Sequence, residues 1–276
     1  MLRLEPSDVL RGLVPAARLL SVAMLASTAG CAGGAPLLHP AHVLPEGEVS
    51  VAGGLSGTFL LDPRGASETS GTPGAPDAEP ALGASDHADF EHLTAASGIA
   101  PWVGGRVGLG GSNEAGLTYT GRTVRLDGRH AFDLGGPALS VGLGASAIMA
   151  RRPGGDAPDG SSVYGGGLDI PVLLGFRSSG DVYALWLGPR VGFSLLRGSL
   201  SRGSGTDPNQ TPELIDVSAR HLQLGFVLGL RAGFRHLHVA VEVGGAYHRA
   251  DGELNGAALS LDQVALAPGG GLIITF

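Results

Sequence analysis

The stretch that decides the fold is the last one, Val264-Ala-Leu-Ala-Pro-Gly-Gly-Gly-Leu-Ile-Ile-Thr-Phe276, in which every second residue is apolar, glycine or proline: Val264, Leu266, Pro268, Gly270, Leu272, Ile274, Phe276. A period of two places alternate side chains on opposite faces of a β-strand. The pattern recurs upstream. In 162–178 the even positions read Tyr164, Gly166, Leu168, Ile170, Val172, Leu174 and Phe176, and in 220–235 they read Leu222, Leu224, Phe226, Leu228, Leu230, Ala232 and Phe234. In 238–248 the odd positions Val239, Val241, Val243 and Tyr247 oppose His238, Ala240, Glu242 and Gly244. These runs are longer than the strands of most soluble sheets.

Alternation alone does not say which face turns inward, since a soluble ligand-binding barrel is apolar inside. The composition of the other face decides it. A solvated face carries charge at most positions, whereas here it is mostly Gly, Ala and Ser with isolated Arg, Asp or Glu. Small residues beside a few long charged ones suit a narrow lumen, which places the continuous apolar face toward lipid. Composition agrees: 48 of 276 residues are glycine, 16% are charged, lysine is absent and the formal net charge is −7. Mild acidity argues against nucleic-acid binding, and no apolar run reaches the ~20 residues of a membrane helix.

The strand ending on Phe276 resembles the C-terminal signature of bacterial outer-membrane β-barrels. That resemblance implies insertion by the barrel-assembly machinery through this strand, outer-membrane lipid as the surrounding partner, and both chain ends in the periplasm. Residues 1–30 have the order of an export signal: Arg3, Arg11 and Arg18, an apolar stretch from Leu19 to Ala26, then small residues. Gly30-Cys31 after small residues resembles a lipoprotein cleavage site, implying lipid attachment at Cys31 and, with Ala32 following, passage to the outer membrane. Ordinary signal cleavage is the alternative. Cys31 is the only cysteine, so no internal disulfide exists.

Strands are expected near 47–60, 97–110, 115–120, 123–134, 138–150, 162–178, 182–197, 219–235, 238–249 and 262–276. This gives an all-β, antiparallel, up-and-down transmembrane barrel of ten strands, with eight as the alternative if the 115–134 hairpin is not embedded. Ten strands put the long connections 61–96, 151–161, 198–218 and 250–261 on one side and tight turns on the other. The domain plan is a signal over 1–30, a periplasmic tether over 31–46 containing Pro36, Pro40 and Pro45, and one monomeric barrel over 47–276. The connection 61–96, rich in Gly, Pro and Asp from Asp62 to Ser85, reads as a flexible loop.

A two-residue turn at Ser179-Gly180 would set Asp169 opposite Arg190, and one at His236-Leu237 would set Arg231 opposite Glu242, giving two structural ion pairs in the lumen. Arg106, Arg125, Asp127, Arg129 and Arg177 share that interior. Six arginines against three acids make the candidate function either a polar plug that holds the barrel shut or a narrow, anion-preferring passage. No catalytic residue, metal ligand or cofactor is assigned. The segment Asp86-His87-Ala88-Asp89-Phe90-Glu91-His92 has metal-ligand chemistry, yet a solvated acidic segment is the default for such a run. Two alternatives come from other classes. One is a surface enzyme, which would require Asp86, His87, His248 and Asp251 to converge; the strand count is shared with the omptin family of outer-membrane proteases, but none of its motifs is matched here. The other is a soluble lipid-tethered barrel holding an apolar ligand.

Overall fold

The computed structural model describes residues 34–61, 84–150, 162–202 and 213–276. The export signal, Cys31 and most of the long loop expected from Asp62 to Ser85 lie outside these. Ten antiparallel strands form a closed barrel: β1 (Val49–Leu60), β2 (Gly98–Gly110), β3 (Asn113–Tyr119), β4 (Thr123–Asp133), β5 (Ala138–Ala150), β6 (Ser162–Arg177), β7 (Tyr183–Arg202), β8 (Glu213–Phe234), β9 (Leu237–Leu254) and β10 (Ala257–Thr275). Each strand pairs with its neighbours in sequence, and β10 closes on β1 with Leu272 opposite Gly53. No sheet edge is left open.

Side-chain orientation follows the parity of the sequence. Ile170, Leu224, Leu228 and Val241 point outward at 48%, 46%, 54% and 50% exposure, whereas Asp169 is inside at 8%. The wall is uneven in height, since β3 has 7 residues and β8 has 22. A tilted strand of roughly 9–11 residues suffices to cross a bilayer, and β7–β10, at 20, 22, 18 and 19 residues, are about twice that length. Their outward face changes along its length: the half of β8 near the short turns carries Leu224 to Phe234, and Arg197, Arg220 and Arg249 are exposed at the opposite ends.

Three expectations are corrected. The connection expected over 250–261 is a two-residue turn at Asn255-Gly256, both with positive φ (52° and 80°), and β9 and β10 run on to meet it. The flexible loop expected over 61–96 ends in a helix, α1 (Ala84–Ala95), which packs into the barrel mouth through Phe90 and Leu93 against Val163, Leu196, Leu200, Ile215 and Leu254. Arg122 holds its end, donating to the carbonyls of His92 and Leu93, where a helix concentrates unsatisfied acceptors and partial negative charge. The tether expected over 31–46 is, from Gly34 to Leu44, inside the barrel: Leu37, Leu38 and Ala41 are buried against Trp102, Leu173, Trp186 and Ile273. The interior thus holds two apolar clusters, one around α1 and one around the N-terminal segment, with a set of charged side chains beside them on the wall.

Candidate functional site: the occluded lumen

Seven charged side chains form one continuous ionic chain along the wall from β2 to β7. Arg190 Nε lies 3.1 Å from Asp169 Oδ2, and Arg125 grips the same carboxylate with Nε at 2.7 Å and Nη2 at 3.0 Å. Arg125 Nη1 reaches Asp127 at 2.6 Å, and Arg106 Nη2 reaches the other Asp127 oxygen at 2.6 Å. Arg106 also bonds Glu114, whose carboxylate accepts from Arg129 Nη2 at 2.8 Å. Glycines make room for these long side chains: a Cβ on Gly144 would fall 2.4 Å from Asp169 Oδ1, and one on Gly116 would fall 2.6 Å from Arg106 Nη1.

Four guanidiniums meet three carboxylates in this chain, and the surplus N–H groups are taken by the N-terminal segment. Arg190 Nη1 donates to Ala35 O at 2.9 Å. Arg129 donates to the carbonyls of Pro40 and His42, and its Nη1 lies 2.7 Å from His39 Nδ1. A guanidinium has only donors, so His39 Nδ1 is the acceptor and carries no proton. Glu242, also buried, is not part of the chain. It accepts from the backbone N–H of Leu37 (2.9 Å) and Leu38 (3.0 Å) and from Trp186 Nε1 (3.0 Å). Leu38 has φ +46°, a left-handed residue that turns two successive N–H groups toward one carboxylate. Leu44 N donates to Glu114 Oε2 at 2.8 Å. Beyond the segment, toward α1, remains a cavity of about 170 Å³ whose wall includes Arg125, Asp169, Arg190, His221 and His248. The two imidazoles are stacked and joined by a 2.9 Å N···N hydrogen bond.

Asp169 and Arg190 are therefore together, by a different register than expected. Ser178 Oγ accepts from the N–H groups of Val182 and Tyr183, and Asp181 takes φ +51°, so the turn is centred one residue later and Arg190 stands opposite Pro171. The ion pair forms diagonally. The pair expected between Arg231 and Glu242 is not made. The β8–β9 turn lies at Arg235-His236, Ala240 opposes Arg231, and Arg231 bonds Asp181 at 2.5 Å. Arg177 is exposed at the short-turn rim rather than enclosed. Glu114, His39 and Trp186 were not anticipated as lumen groups; Glu114 has the inward parity of Gly116 and Thr118 and sits one residue before the expected strand start.

The surface-enzyme constellation does not assemble, because His248 faces the lumen and Asp251 faces outward. Among the described residues no group of three His, Cys, Asp or Glu side chains is placed to hold a metal ion.

No protein-family profile and no curated protein matches the chain. Among solved structures it is similar to Neisserial surface protein A, at 10% identity and TM-score 0.34 over 83% of this chain and 96% of that one. It is also similar to Ail, the attachment invasion locus protein of Yersinia pestis, at 10% identity and TM-score 0.30 over 84% of this chain and 100% of that one. A third is the CymD monoaromatic hydrocarbon channel, at 8% identity and TM-score 0.23 over 84% and 89%. None of the three bears on what this chain does.

Proposed function

We propose that the chain is an integral barrel of a bacterial outer membrane, with its short turns and both chain ends on the periplasmic side, whose own N-terminal segment keeps it closed. Its role in that state is structural: a barrel sealed from below by residues 34–44 and from above by α1. The observation that carries this reading is the set of bonds from Glu242, Arg129, Arg190 and Glu114 to the backbone of residues 35–44. These are charge-assisted hydrogen bonds away from bulk water, the stronger kind.

The anion-preferring passage has less support than the sequence suggested. Arg177 lies outside the lumen, Glu114 adds an acid, and Arg129 and Arg190 spend N–H groups on carbonyls of the segment. The outward apolar belt supports the membrane location over a soluble barrel. Two measurements test the proposal on the full-length protein. Unheated samples should migrate faster than boiled ones on a detergent gel, and reconstitution into planar bilayers at neutral pH should give no steady conductance. A persistent open-channel current would reject the closed-barrel reading, and loss of the protein from membranes on carbonate washing would reject the membrane reading.

A further inference from the structure

We infer that the mouth of the barrel on its short-turn side holds a binding site for a phosphate-type oxyanion, between the exit of the N-terminal segment and the rim of the wall. A cavity of about 260 Å³ lies there, lined by His42 and Pro45 from the segment and by Arg177, Arg231, Arg235 and His236 from the wall. It is separate from the ionic chain around Asp169 and Glu114.

Charge is the first argument. The lining side chains bring three guanidiniums against the carboxylates of Asp181 and Glu48. Asp181 is engaged by Arg231 Nη2. Among the described residues neither Arg177 nor Arg235 has a carboxylate partner, and Arg235 lies over the Phe234 ring at 5.2 Å. Unmet hydrogen bonding is the second argument. The side chain of Arg231 is 8% exposed, and its Nε, which lies on a residue lining the cavity, has no partner. An arginine cannot shed its proton to relieve the deficit, and a buried donor without an acceptor is destabilising, more so when charged. An occupant rich in acceptors and negatively charged meets both conditions. The volume far exceeds the ~30 Å³ share of one water molecule, so a tetrahedral oxyanion fits together with its waters, and planar guanidiniums bind such oxygens in pairs. Free phosphate and the phosphate of a lipid headgroup present the same chemistry.

The test uses the full-length protein in a neutral detergent, titrated with sodium phosphate at constant ionic strength by calorimetry. It also uses nanodiscs of phosphatidylcholine with and without phosphatidylglycerol, read by the midpoint of the heat-induced gel shift. Saturable phosphate binding is expected, weakened about tenfold by Arg177→Gln, which removes one charged donor, and unchanged by Arg197→Gln at the opposite end of the barrel. Arg231→Gln should abolish it; should that variant not fold, exposed Arg177 decides the question alone. If phosphate does not bind but phosphatidylglycerol raises the midpoint of the wild type and not of Arg177→Gln, the site stands with the headgroup as its occupant. Absence of both responses, equal responses in Arg177→Gln, or the same effect from chloride would overturn it. None of these outcomes depends on whether the barrel conducts.

Discussion

Glu114 accepts hydrogen bonds from Arg129, Arg106 and the backbone N–H of Leu44 in a site nearly closed to solvent. Removing one partner of a buried ionic pair is far more damaging than replacing both, because the remaining charge stays desolvated. Glu114→Gln keeps the shape and strips the charge, so it should destabilise the barrel by about 3–5 kcal/mol, read as a lower urea midpoint in detergent. His39 gives a pH dependence. Burial, then the guanidiniums of Arg129, Arg106 and Arg125, hold its pKa well below the usual histidine range. Glu114 is the nearby carboxylate, and both Arg129 and Arg106 engage it. Once the segment leaves the lumen, His39 returns to a pKa of about 6.5. The depressed value means that the docked state gives up no stability above about pH 6.5 and loses it as pH falls below that value, since only the displaced segment takes up the proton. His42, lowered by burial and by Arg177, adds in the same direction. Channel openings should therefore be absent at pH 7.5 and appear near pH 5, and His39→Gln should flatten the profile.

At the scale of elements, what the sequence discloses depends on whether the deciding contact is local. Strand parity is legible because a continuous outward apolar face, as in Leu224-Phe226-Leu228, is written into adjacent residues. Turn centres are less so. Ser179-Gly180 has hairpin composition, yet the left-handed residue is Asp181, and the resulting shift displaces the expected Asp169–Arg190 pairing by two residues while leaving both side chains inward. The N-terminal segment was illegible: three prolines around Leu37-Leu38 read as a spacer, and the partner that fixes it, Glu242, lies 205 residues from Leu37. Helix α1 was hidden for a related reason, since only Phe90 and Leu93 supply it with large buried apolar side chains. Those two residues carry its docking. Phe90→Ala should cost about 3–5 kcal/mol of local stability, seen as a rise in amide exchange across 84–95, with the gel-shift midpoint of the barrel itself little changed.

For the whole molecule, the orientation of the two faces is the feature on which the membrane assignment turns, and β8 tests it within a single strand. Its outward residues run from Leu214 at the long-connection end, past exposed Arg220, to Leu228 in the apolar belt and Phe234 beside the short turn. Leu214 and Leu228 are about equally exposed, at 59% and 54%, so packing inside the protein does not distinguish them. Depth in a bilayer does. An arginine facing lipid near the midplane of a barrel costs about 2–4 kcal/mol, and one near or beyond the interface about 0–1. Leu228→Arg should therefore lower folding stability in phospholipid vesicles by the larger amount, whereas Leu214→Arg should leave it almost unchanged. The same pair measured in a water-soluble barrel would give two small and similar effects, because both side chains would face solvent. A difference between the variants of less than about 0.5 kcal/mol, near the spread of ordinary surface substitutions, would remove the belt from the membrane.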